Sequence, residues 1–87
     1  MRTNNDFEEK KLYVVTTVSG NEYSIVVEGY EFKEKTLAFG NHDVIIPHNF
    51  IPVIVFNVEQ YESFIIKEIT EDVKIDILAH PDLYIMG

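Results

Sequence analysis

Between Leu12 and Val18 the chain alternates, with Leu12, Val14, Thr16 and Val18 on one side and Tyr13, Val15 and Thr17 on the other. Nearly all of these residues are β-branched or aromatic, types that pack well on a pleated surface and lose χ1 freedom in a helix, so the pattern predicts a strand. Tyr23, Ile25 and Val27 alternate with Ser24, Val26 and Glu28 in a second strand. The Gly20-Asn21 dipeptide between them suits a two-residue hairpin turn. Closed there, the hairpin sets Val18 opposite Tyr23, Thr16 opposite Ile25 and Val14 opposite Val27, and one face becomes uniformly core-like.

Gly29 and the charged stretch Glu31 to Lys35 interrupt the pattern, although Tyr30 and Phe32 keep an apolar alternation. Gly40-Asn41 then repeats the turn dipeptide between Thr36 to Phe39 and His42 to Ile46, which places Leu37 opposite Val44. Pro47 and Pro52 lack the backbone N–H that a sheet ladder uses, so a tight turn or a single 3₁₀ turn linking two strands is expected between them. Val53 to Val58 is apolar on both faces and reads as the buried middle of the fold.

Phe64 to Ile69 and Val73 to Leu78 read as a last hairpin across Thr70-Glu71-Asp72, with Lys67 facing Asp76. A helix over Glu71 to Ala79, capped by Thr70, competes with it, and the alternate β-branched Val73, Ile75 and Ile77 favour the strand. Leu83 to Met86 is an apolar tail that either packs back on the domain or meets a partner. The expected fold is mainly β: a small antiparallel barrel or sandwich of five to six strands, with a short C-terminal helix as the alternative. Residues 1–11 form a polar N-terminal arm and residues 12–87 a single small β domain.

A chain of 87 residues is expected to hold one hydrophobic core and leaves no room for a second domain. It has no cysteine, which excludes disulfides and thiolate metal sites and fits a reducing cytoplasm. Met1 to Lys11 has no signal-peptide character, and the longest apolar run, Ile51 to Phe56, is far short of the roughly 20 residues a membrane helix needs. A cytoplasmic protein without membrane attachment is expected.

Fifteen acidic residues oppose seven Lys and Arg, for a formal net charge of −8. The charges of the arm cancel, so the excess lies on the body, and no Lys or Arg occurs between Lys35 and Lys67. Nucleic acid is bound largely through Lys and Arg contacts to phosphate, so direct nucleic-acid binding is not expected. The same field draws the domain toward a basic surface of another protein.

Residues for chemistry are sparse. His42 with Asp43, His48, and His80 with Asp82 follow no known metal-ligand spacing. Ser19, Ser24 and Ser63 sit in no nucleophile elbow, and the four glycines form no phosphate-cradling cluster. No catalysis, metal or cofactor is expected. The five tyrosines and six phenylalanines exceed what a small core hides. Tyr61, flanked by Glu59, Gln60 and Glu62, and Tyr30, beside Glu28 and Glu31, are therefore expected at the surface, where tyrosine serves interfaces well.

The segment Ile46-Pro47-His48-Asn49-Phe50-Ile51 resembles the Ile-Pro-x-Asn-Tyr-Val turn of the Src-homology-type small barrels, with Phe50 in the place of tyrosine. The general layout is also similar to Sm-like barrels. The resemblance implies a barrel fold with a turn at Pro47, His48, Asn49 and Phe50. The family's proline-peptide groove does not carry over, because the chain has neither the Ala-Leu-Tyr-Asp-Tyr segment nor any tryptophan. A very short acidic β protein without enzyme motifs is also similar in style to small proteins of bacteriophages and mobile elements, whose setting would be the bacterial cytoplasm.

The leading expectation is a non-enzymatic protein-binding domain: an acidic inhibitor that occupies a basic, nucleic-acid-binding surface of a partner protein, as in phage anti-defence or host takeover. Glu28, Tyr30, Glu31, Glu59, Tyr61 and Glu62 are its expected contacts. The alternatives are a self-associating barrel, dimer or ring, that holds a small ligand or nucleotide between subunits, and a structural subunit of a larger assembly.

Overall fold

A computed structural model describes residues 7, 9–46 and 48–87. Among them are seven strands, β1 (Lys11–Thr17), β2 (Glu22–Val27), β3 (Gly29–Lys33), β4 (Thr36–His42), β5 (Phe50–Asn57), β6 (Tyr61–Lys67) and β7 (Ile85–Met86), and one helix, α1 (Glu71–Ala79). They form two sheets, ordered β6-β1-β2-β7 and β3-β4-β5. Only Glu28 separates β2 from β3, so one bent ribbon serves both sheets. The expected mainly β class, a small sandwich or barrel, is what the chain forms.

β1 is apolar on both faces because both are covered. Its inward residues Tyr13 and Val15 join Ile25, Val27, Leu37, Phe39 and Phe56 in the core between the sheets. Its outward Leu12 joins Val26, Ile77 and Phe7 in a second core beneath α1, with Val14, Ile69, Val73 and Tyr84 packed around it. Phe7, within the otherwise polar arm, is thus an anchor for the helix side.

The first hairpin has a different register from the expected one. Tyr13 lies opposite Ile25, Val15 opposite Tyr23 and Lys11 opposite Val27, so Tyr13 and Val15, rather than Val14 and Thr16, face the core between the sheets. The turn is a three-residue Val18-Ser19-Gly20 loop. Gly20 N–H donates to the Thr17 carbonyl (3.0 Å), and Thr17 N–H donates to the Asn21 carbonyl (2.9 Å). Gly20 takes a φ of +94°, the left-handed position of a three-residue turn with a bulge. Thr17 Oγ1 accepts from Asn21 N–H at 3.1 Å, which selects this loop over a two-residue one.

The second expected hairpin is absent: Gly40 and Asn41 lie inside β4, and Leu37 faces Phe56 and Phe32 instead of Val44. Gly40 is there for close approach, because a Cβ would collide with the Ile51 backbone at a bulge opposite Pro52. The actual turn between β3 and β4 is Glu34-Lys35, with Glu34 at φ 50°. Pro47 lies outside the described residues. Its neighbours form a tight turn, in which Asn49 N–H donates to the Ile46 carbonyl at 2.8 Å, whereas Pro52 is already part of β5.

The apolar segment Val53 to Val58 is not the buried middle. β5 is the edge of its sheet, and Ile51, Val53, Val55 and Val58 are exposed.

The last expected hairpin is replaced by α1, so Lys67 does not face Asp76; in β6 it pairs with Leu12 of β1. Thr70 Oγ1 caps the helix by accepting Val73 N–H at 3.4 Å, and Glu71 and Asp72 occupy its first turn, where carboxylates favour the helix dipole. Val73 and Ile77, four apart, share the face that meets β1 and β2. Burying Ile77 contributes about 1.5–3 kcal/mol, more than the few tenths per residue by which β-branching disfavours a helix. The tail packs back on the domain: β7 pairs parallel to β2, with Ile85 opposite Ile25.

Candidate partner-binding surface

Tyr30 and Tyr61 lie thirty-one positions apart, on different sheets, and converge on one aromatic cluster. On β3, Tyr30 and Phe32 share a face by the two-residue period of a strand. On β6, Phe64 lies opposite Val15 and Tyr61 opposite Thr17, both inward positions of β1, although the two rings are three positions apart, an odd number that would put them on opposite faces of a regular strand. A bulge at Glu62 makes this possible, since the extra residue restores both aromatics to one face.

Tyr30 meets Phe64 at 5.1 Å between ring centroids, 67° between planes, and meets Phe32 at 6.1 Å and 89°. Tyr61 lies 6.5 Å from both Phe32 and Phe64. These edge-to-face and tilted contacts close the side between β3 and β6. The cluster continues inward to Phe39, 5.4 Å from Phe64, and to Tyr13, 5.9 Å from Tyr30. Burial, and then the Tyr30 phenol, push the Tyr13 hydroxyl above its ordinary pKa, so the inner rings stay neutral.

The outer rim is open to water: Phe32 is 54% exposed and Tyr30 43%. Tyr61 is half-buried, so the more exposed of the two expected tyrosines is Tyr30. Phe32 and Phe64 were not among the expected contacts. Phe32 was legible as the strand partner of Tyr30; Phe64 was hidden because a bulge has no sequence mark here.

The expected carboxylates divide. Glu59, in the turn from β5 to β6, and Glu62, at the bulge, are exposed next to Tyr61. Glu59 also lines a depression of 260 Å³ with Thr17, Tyr23 and Phe56. Glu31 lies between Tyr30 and Phe32 in sequence and therefore on the opposite face of β3, 3.8 Å from Lys33. Glu28 is committed elsewhere: its Oε1 accepts His42 N–H at 2.8 Å and lies 3.2 Å from His42 Nδ1, which ties the β2–β3 bend to the end of β4.

His48 and Asn49 belong to the loop before β5 and Phe50 opens that strand, away from the aromatic rim in sequence and strand order. Asp43 N–H donates to the Asn49 carbonyl at 2.8 Å, and the Phe50 ring meets His42 at 5.9 Å. Among the described residues no group of three His, Asp or Glu side chains is placed to hold a metal. Among the described residues no helix is long and apolar enough to cross a membrane.

Charge is distributed unevenly over this frame. Residues 59–87, which form β6, α1 and the tail, hold seven carboxylates and two lysines, a net −5, whereas Asp43 is the only formally charged residue in 36–58. Of these carboxylates Glu59 and Glu62 flank Tyr61 at the rim, whereas those of α1 lie with the helix on the outward side of β1 and β2. Comparison with protein-family models, curated proteins and solved structures found no match to this chain.

Proposed function

We propose that the protein is a non-enzymatic protein-binding domain that presents the Tyr30–Phe32–Tyr61 rim, bordered by Glu59 and Glu62, to a basic surface of another protein. The observation that supports this reading most is the convergence of two strands' aromatics on a half-exposed cluster flanked by Glu59 and Glu62. Rings of this kind supply contact area at low entropic cost and attract Lys and Arg through their faces, while the carboxylates complement the cations and exclude polyanions. A partner surface of that chemistry is one that ordinarily holds nucleic acid, so occupying it makes the domain an inhibitor.

The test is charge reversal. Glu59→Lys with Glu62→Lys should weaken capture of the partner from source-cell extract and flatten its salt dependence, since these contacts are screened by salt. Unchanged capture with unchanged salt dependence would refute the proposal.

A further inference from the structure

At one end of the sandwich the β1–β2 turn meets the β5–β6 turn, the two tied by Val18 N–H donating to the Gln60 carbonyl at 3.0 Å. Between these turns lies the 260 Å³ depression, at the kind of β-barrel mouth where ligand sites concentrate. Tyr23 and Phe56 line it with rings 5.7 Å apart and inclined at 55°. Both turns are held by their own hydrogen bonds, so the depression is preformed. Thr17 Oγ1 accepts Asn21 N–H at 3.1 Å and lies 2.9 Å from Ser19 Oγ, and Gln60 Oε1 accepts Asn57 N–H at 2.9 Å. Glu59 is the only charged residue in the lining, and among the described residues its carboxylate forms no ion pair.

We infer that this depression receives a primary alkylammonium group, the end of a lysine side chain of the partner protein. Aromatic rings attract a cation through their faces, and a lysine lays its methylene stem along apolar surface while the charged head stays at a polar edge. The ammonium has three N–H donors, for which the Glu59 carboxylate and the Ser19 hydroxyl are acceptors on the two different turns. A guanidinium is a flat fork that pairs best with one carboxylate side on, so the compact ammonium suits acceptors divided between two loops better. Charge and size exclude other classes. An anion would meet Glu59 and no Lys or Arg, and 260 Å³ lies below the roughly 300–1,000 Å³ of sites that enclose drug-sized ligands, so a nucleotide is too large. The inference rests on the partner-binding reading for the source of the lysine and deepens it, because Glu59 belongs both to the border of the rim and to the depression.

The chemistry is tested without a partner, by following the backbone amide resonances of the full chain as n-butylammonium chloride is added at constant ionic strength, with n-butanol as the uncharged probe of the same length. Val18, Ser19, Glu59 and Gln60 should shift saturably with n-butylammonium, half-complete by about 20 mM, and respond at least about fivefold more weakly to n-butanol. Glu59→Gln, at an exposed position that does not endanger the fold, should weaken n-butylammonium binding about two- to fivefold. Tyr23→Leu, which keeps an apolar side chain against Phe56 and removes the ring, should weaken it by a similar factor of about two to five. The source of the ammonium is read separately: Tyr23→Leu should reduce capture of the partner from source-cell extract by the same factor as it reduces the titration. No saturable shift up to about 100 mM, equal shifts with n-butanol, or a titration unaltered by Glu59→Gln would overturn the inference and leave the rim reading to its own charge-reversal test. A sound titration with partner capture untouched by Tyr23→Leu would equally overturn it, since the lysine would then not be the partner's.

Discussion

Gly40 faces Pro52 across the β4–β5 ladder so closely that a Cβ on Gly40 would overlap the carbonyl oxygen of Ile51. The obstacle is backbone, which cannot swing aside as a side chain would. Gly40→Ala should therefore cost about 1–3 kcal/mol in urea unfolding, in the range of overpacked sites. Gly29→Ala, where a new Cβ meets nothing, is the control and should stay within about 0.5 kcal/mol.

Ile77 and Ile75 separate a helix from a strand. In α1, Ile77 is 1% exposed against β1 and β2, and Ile75 is 62% exposed on the other side. Ile77→Ala should cost about 2–5 kcal/mol, as a buried large-to-small change does, and Ile75→Ala about 0.5 kcal/mol or less. In the hairpin expected from the alternation, the two residues would share a face and cost similar amounts. Chemical denaturation of both variants decides between these outcomes.

What the sequence disclosed was local pattern, and what it concealed was the reason behind that pattern. The β-branched runs at Leu12 to Val18 and Tyr23 to Val27 mark strands because burial and sterics act within each run. Val73, Ile75 and Ile77 carry the same signature, yet the Thr70 cap and the apolar groove formed by Leu12, Val14 and Val26 recruit them into a helix; that groove exists only once β1 and β2 have paired. Gly40-Asn41 looks like Gly20-Asn21, but one glycine answers a close backbone approach and the other a positive φ. The site was half legible. Tyr30 and Tyr61 stand out by their acidic neighbours, whereas the bulge at Glu62 that brings Tyr61 onto the face of Phe64 is a tertiary event.

Tyr84 links the tail to the helix, its hydroxyl donating to the Asp76 carboxylate. That hydrogen bond, followed by burial and the carboxylate's charge, raises the Tyr84 pKa above the ordinary value near 10. A raised folded-state pKa favours folding fully below the unfolded value and loses its contribution as pH climbs through the folded one. Stability should therefore fall above pH 10 with a contribution from Tyr84, and Tyr84→Phe should make the alkaline loss shallower. Tyr13, whose hydroxyl is also raised, remains in both proteins, so only the difference between their thermal-melting profiles from pH 8 to 11 reports on Tyr84.

Tyr30 and Phe32 both belong to the rim but differ in what they support. Tyr30 touches Tyr13, Phe39 and Phe64, so Tyr30→Ala should lower stability by about 1–3 kcal/mol along with any loss of binding. Phe32, more exposed than Tyr30 and touching only Tyr30 and Tyr61 among the aromatics, supports the fold less, and Phe32→Ser should cost about 0.5–1.5 kcal/mol.

That separation makes Phe32→Ser the sharpest probe of the partner-binding account. The measurement is quantitative capture from source-cell extract by wild type and Phe32→Ser, each at low and at high salt, read by mass spectrometry. The account predicts one basic protein held by the wild type at low salt, released at high salt, and reduced about tenfold by Phe32→Ser, the loss expected of an aromatic hot spot. Equal capture by the two proteins would contradict it, as would a partner whose retention ignores salt.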